Sequence, residues 1–119
     1  MPYAVLVDDN LESSETLSIL LEMEGYETSM AASLKDARRQ IAQRVPDVMV
    51  LDRTLPDGHG MDFISEALSH GPITVVLLTG LSDPADAKEA LRRGAAAYLV
   101  KPATIEELKA VLDQAASKV

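Results

Sequence analysis

Residues 73–79 (Ile73-Thr74-Val75-Val76-Leu77-Leu78-Thr79) are almost continuously apolar. Successive side chains of a strand point to opposite faces, so such a run must be covered on both sides. That is the situation of a central strand in a parallel sheet sandwiched by helices. Three other short apolar runs can accompany it, at 3–8, 47–51 and 96–100. A fifth segment, 26–30 (Tyr26-Glu27-Thr28-Ser29-Met30), is mixed and polar, which suits an edge strand.

Helical spacing fills the intervals. Leu17, Leu20 and Leu21 share one face of 11–24, and Gly25 reads as the residue just past that helix. Residues 34–44 form a second helical segment, with Ser33 and Asp36 in capping-box spacing. Met61, Ile64 and Leu68 repeat the pattern over 60–69. Asp83-Pro84 opens a fourth helix, with Pro84 at its first position, and Gly94 closes it. Thr104 and Glu107 repeat the capping box before a last helix running to about residue 117. Strand and helix thus alternate five times. This predicts a doubly wound α/β domain, a parallel sheet with helices on both faces. The common five-strand order, 2-1-3-4-5, puts the first and third strands side by side and the polar second strand at an edge.

The 119 residues suit one domain, and an apolar fraction of 47% suffices for a core. A net charge of -8 argues against nucleic acid or an acidic membrane as a direct partner. With no cysteine, disulfides and thiolate metal sites are excluded. No signal peptide is evident, and no apolar run approaches the roughly 20 residues that span a bilayer. The chain reads as soluble and cytoplasmic.

The chemistry sits where strands end. Asp8-Asp9 follows the first run, Asp52 the third, Thr79-Gly80 the fourth and Lys101-Pro102 the fifth. In a parallel sheet all those ends open on one edge. Singly, each has a plainer account: a helix N-cap for Asp8-Asp9, a turn residue for Asp52, a strand-end hydroxyl for Thr79, a surface lysine for Lys101 and core packing for Tyr98. Together they form three carboxylates with one ammonium. Such crowded carboxylates need a counter-charge. Hard oxygen ligands point to Mg²⁺, with Mn²⁺ as the alternative, and not to zinc. Asp9 and Asp52 are expected as direct ligands and Asp8 through water. Lys101 and the Thr79 hydroxyl are placed to meet a phosphoryl group. His59 reads as an exposed loop residue, and the pairs Arg38-Arg39 and Arg92-Arg93 as solvated helix faces.

These residues resemble the receiver domain of bacterial two-component response regulators, over essentially the whole chain. The resemblance rests on Asp8-Asp9, on Leu51-Asp52-x-x-Leu55-Pro56-x-x-x-Gly60, on Thr79-Gly80 and on Tyr98-x-x-Lys101-Pro102. It implies a flavodoxin-like (βα)5 fold over 1–119 and a phosphorylation-dependent switch. Asp52 would accept a phosphoryl group from a sensor histidine kinase or phosphotransfer protein. Asp8 and Asp9, with the backbone carbonyl of Thr54, would hold Mg²⁺. Thr79 and Tyr98 would be the switch pair and Lys101 the phosphoryl-binding lysine, followed by a cis Lys101-Pro102 bond. The fourth helix, fifth strand and fifth helix would form the responding surface, through which a homodimer is conceivable. Glu12, Ser13 and Glu15 on the first helix would help choose the kinase. No independent substrate turnover is implied.

Arg53 departs from the family's pattern, since a smaller or apolar residue is more usual beside the acceptor. Leu55 stands in place of a frequent methionine and Ala103 in place of a frequent phenylalanine. Thr54 and Leu81 occupy positions that tune dephosphorylation in relatives. The main competing reading is a pseudo-receiver that binds partners without phosphate. A metal-dependent phosphohydrolase would need an acid where Thr54 stands. A flavin carrier would need a Ser/Thr/Gly-rich loop in place of Asp8-Asp9-Asn10, and more than 3% aromatics. The chain ends near the fifth helix at Lys118-Val119, which leaves open a single-domain regulator or a receiver joined to an output domain.

Overall fold

The structure is a computed structural model that describes residues 1–117; Lys118 and Val119 lie outside the described residues. Five strands, β1 (Tyr3–Val7), β2 (Glu27–Ala31), β3 (Val48–Asp52), β6 (Thr74–Thr79) and β7 (Ala97–Val100), make one sheet, and every neighbouring pair in it is parallel. The order is β2-β1-β3-β6-β7. Counting only these strands along the chain, that is the expected 2-1-3-4-5, with polar β2 at the edge. The two remaining strands, β4 (Thr54–Leu55) and β5 (Gly58–His59), form a small antiparallel hairpin just after β3.

The helices are α1 (Leu11–Met23), α2 (Leu34–Gln43), α3 (Gly60–Leu68), α4 (Pro84–Arg92) and α5 (Ile105–Ser117). Strand alternation divides the core in two. Val5, Val7, Met49, Leu51, Val75 and Leu77 face α2, α3 and α4 through Ile41, Ile64 and Ala90. Ala4, Leu6, Val50, Val76 and Leu78 face α1 and α5 through Leu21, Leu108 and Leu112. Val75, Val76 and Leu77 are fully buried, as a strand covered on both faces requires.

The helix ends follow the local signals. Gly25 and Gly94 follow the caps of α1 and α4 at φ +93° and +109°, a backbone that side chains rarely adopt. Ser33 accepts the Asp36 N–H at 3.1 Å. Asp83 accepts the Ala85 N–H at 2.9 Å, with Pro84 at the first helical position. Thr104 and Glu107 complete a reciprocal box at 3.0 and 3.1 Å. Two readings change. The cap of α1 is Asn10, whose side chain accepts the Ser13 N–H at 3.2 Å, so neither Asp8 nor Asp9 is spent there. Arg93 is half-buried and not solvated: it donates to Asp62 at 3.0 Å and to the Met61 carbonyl at 3.3 Å, tying α4 to α3. Arg38, Arg39 and Arg92 are exposed and pair with Glu66, Asp36 and Glu89. Among the described residues no helix is long and apolar enough to cross a membrane.

Candidate functional site

Asp8 and Asp52 leave the sheet side by side because β1 and β3 pair in register through Val7 and Leu51. The ladder continues past the strand ends. Asp8 N donates to Ala31 O at 3.0 Å, Arg53 N to Leu78 O at 2.7 Å, and Lys101 N to Thr79 O at 2.7 Å. Backbone bonding therefore fixes the direction of each side chain leaving the edge.

The side chains converge. Asp8, Asp9 and Asp52 each offer a carboxylate oxygen within 4.8 Å of the others. Lys101 Nζ donates to Asp8 Oδ2 and to Asp52 Oδ2, both at 3.0 Å. Asp8 and Asp52 are 6% and 8% exposed, whereas Asp9 is open to solvent. Both oxygens of Asp8 are engaged, since its Oδ1 accepts the Asn10 N–H at 2.9 Å. Burial pushes the Asp52 carboxyl above its ordinary pKa; Lys101 pulls it back and the nearby Asp8 charge pushes it up again. For Lys101, burial disfavours the charge, but Asp52 and Asp8 together outweigh it and the pKa rises. Three carboxylates face one ammonium, so the cluster keeps an excess of hard negative oxygens that could hold a metal ion.

Thr79 ends β6 buried, and its Oγ1 accepts the Leu81 N–H at 3.3 Å. Tyr98 packs half-buried against the core, and its hydroxyl donates to the Leu81 carbonyl at 3.2 Å. Its ring packs on the core, as the sequence suggests, while its hydroxyl reaches an exposed loop. Both residues grip the same loop between β6 and α4. Thr54 is exposed, and its N–H approaches Asp52 Oδ1 at 3.4 Å. The Lys101-Pro102 bond is cis. A cavity of about 350 Å³ lies beside the cluster between α1 and the segment after β7, lined by Asp8, Glu12, Ser13, Lys101 and Pro102 among others.

Residues 4–113 match the family described as the response regulator receiver domain. The chain belongs to that family. It is 35% identical, over 94% of its length, to the KDP operon transcriptional regulatory protein KdpE of Escherichia coli (strain K12), and it spans about half of that relative. It is 33% identical to the transcriptional regulatory protein ZraR of Escherichia coli O157:H7, over 93% of this chain and 25% of that protein. The receiver fold also matches a response regulator protein from Burkholderia pseudomallei solved with a phosphorylated aspartic acid, a calcium ion and citrate. That match has a TM-score of 0.90 at 28% identity, over 99% of this chain and 70% of that one. The beryllofluoride-activated NtrC4 receiver domain dimer matches at a TM-score of 0.88 and 33% identity, over 95% of each chain. The chain is therefore a receiver domain, a signalling domain of phosphorylation-dependent pathways.

Three features of this receiver's site escape sequence reasoning. Gly60 reads as motif only, yet a Cβ there would lie 2.1 Å from the Asp52 carbonyl oxygen, so only glycine lets the loop close over the acidic strand end. Asp57 lies in the loop between Pro56 and Gly60 and carries no motif position. It supplements the Ser33 cap of α2 from a distant point in the chain, accepting the Leu34 and Lys35 N–H groups at 2.9 and 3.0 Å. Those bonds hold its carboxyl below the usual range. Arg53, an anomaly in sequence, pairs through Nε with Asp86 Oδ2 at 2.6 Å. Only the Gly60 spacing within the motif carried a local signal; the other two partners lie 22 to 33 positions away.

Proposed function

We propose that Asp52 is the phosphoacceptor of this receiver, with Asp8, Asp9 and the Thr54 carbonyl completing a Mg²⁺ site and Lys101 neutralising the incoming group. The observation that carries the reading is the Lys101 ammonium held 3.0 Å from both Asp8 and Asp52 at the mouth of the acidic cluster. An Asp52 oxygen attacks phosphorus in line, and an Asp52 O–P bond forms as the donor's P–N bond breaks. The departing imidazole of the phosphohistidine keeps the bonding pair. Lys101 then turns from the Asp52 carboxylate to the phosphoryl oxygens. Mg²⁺, when bound, would spread the charge of those oxygens. In this reading Asp9, open to solvent, and Asp52 are direct ligands, and Asp8 acts through water.

The new phosphoryl group carries about -1.5 to -2 charges in place of the carboxylate's single one, and places them beside the Thr79 hydroxyl. Thr79 turns toward it, the loop through Leu81 follows, and Tyr98 loses its present acceptor. The surface of α4, β7 and α5 is the readout, for an output domain, a partner or a second copy. In this reading residues 1–119 act as one phosphoacceptor unit in the cytoplasm. A sensor histidine kinase or phosphotransfer protein supplies it, and it turns over no substrate of its own.

The test is intact-mass analysis after incubation with acetyl phosphate and Mg²⁺. One phosphoryl mass is expected on the wild type and none on Asp52→Asn or without the metal. A wild type that gains no mass and binds no Mg²⁺ sinks this reading and leaves a phosphate-independent interaction module.

A further inference from the structure

Arg53 follows the proposed acceptor directly, and the switch assigned above has no use for it. Its backbone is fixed by bonds to Leu78 and Gly60, both at 2.7 Å, so its side chain starts from a rigid point. The guanidinium does not turn to Asp52. It reaches to Asp86 in the first turn of α4, at 2.6 Å, with the two side chains 33% and 25% exposed. The contact is ionic and not an aligned hydrogen bond, since the buried Nε has no acceptor in line. Asp83, which caps α4, adds to the negative surroundings of the same cation.

The segment between Thr79 and α4 is otherwise lightly held. Leu81 is 79% exposed, and a Cβ on Gly80 would meet nothing within 4 Å. The side-chain bonds that hold its Leu81 come from Thr79 and Tyr98. Beyond Leu81 the next fixed point is the first turn of α4. Movement of this loop toward Asp52 must carry that turn along or stretch the Arg53–Asp86 pair.

We propose that the Arg53–Asp86 pair tethers the first turn of α4 to the acceptor strand and restrains the loop motion that brings Thr79 to a phosphoryl group. Arg53 is thus a positioning residue that slows phosphoryl acceptance in the resting protein. This rests on Asp52 being the acceptor, and the experiment separates the two. Initial rates of phosphorylation by acetyl phosphate with Mg²⁺ are compared for wild type, Arg53→Gln, Asp86→Asn, the double variant and Arg53→Lys. A half-shielded pair is worth about a two- to fivefold change in rate. Each single variant is expected to react that much faster and the double no faster than the better single, while Arg53→Lys stays near wild type. Unchanged or slower single variants, or effects that multiply in the double, overturn the tether. If the wild type accepts no phosphoryl group, the Asp52 reading fails, and amide hydrogen exchange in the unphosphorylated proteins decides the tether alone. Faster exchange at Ala87 and Lys88 in Arg53→Gln, with the other helices unchanged, upholds it; wild-type exchange there refutes it.

Discussion

The two edges of the sheet use charge in opposite ways. At the amino edge, Asp47 Oδ2 accepts the Tyr3 N–H at 2.8 Å, Arg44 lies 4.0 Å over the Tyr3 ring, and Arg44 pairs with Glu27 at 2.8 Å. Each charge there is matched by a partner of its own, Asp47 by the Tyr3 N–H and Glu27 by Arg44, and these contacts secure the strand starts. At the carboxyl edge three carboxylates crowd together, and one lysine is shared by the two that are buried. Folding gains nothing from crowding those acids. The difference teaches where to look for function: the matched edge holds the sheet together, and the unmatched edge is where the proposed cation and phosphoryl group would find their place.

Removing the lysine should break the comparison hardest. Lys101→Met leaves Asp8 and Asp52 buried without their ammonium, at a cost of about 2 kcal/mol once partial exposure is discounted. Urea midpoints without metal should show that loss, and added Mg²⁺ should recover part of it. Phosphoryl acceptance, followed by intact mass, should fall at least about tenfold. A Lys101→Met protein as stable as wild type would mean that the edge is not charge-stressed.

The matched edge should respond in the other sense. Asp47→Ala removes one acceptor from the Tyr3 N–H and should cost about 1 kcal/mol. Its phosphorylation rate should stay that of the wild type, because nothing at the strand starts touches Asp52. A slower rate would show that the two edges are not independent.

The smallest effect sharpens the contrast through pH. Burial raises the Asp52 pKa above 3.8, so the folded protein keeps this proton to higher pH than the unfolded chain. The stability that the raised pKa contributes is fully present below 3.8 and is lost as pH rises through the folded value. Lys101 is shifted upward from 10.5, so its contribution is lost only in strong alkali. Without metal, Asp52→Asn should therefore match or exceed wild-type stability at neutral pH, and its advantage should shrink toward pH 3.5. Urea midpoints across that range check the trend, and an advantage that grows on acidification would reverse the assigned sign.

Much of this receiver is legible one segment at a time. The covered run at 73–79, the glycines after α1 and α4, the caps at Ser33 and Thr104, and the acids at strand ends all act over a few residues. A helix cap or a strand period depends on neighbours in the chain, so the sequence carries it whole. Tertiary structure decided what those residues meet. It placed Lys101 between Asp8 and Asp52, gave the first two N–H groups of α2 to Asp57, bent Arg93 onto α3 and turned Arg53 away from Asp52 to Asp86. A charged side chain can choose among many partners of opposite sign. Only the crossovers and the packed core bring one of them within 3 Å.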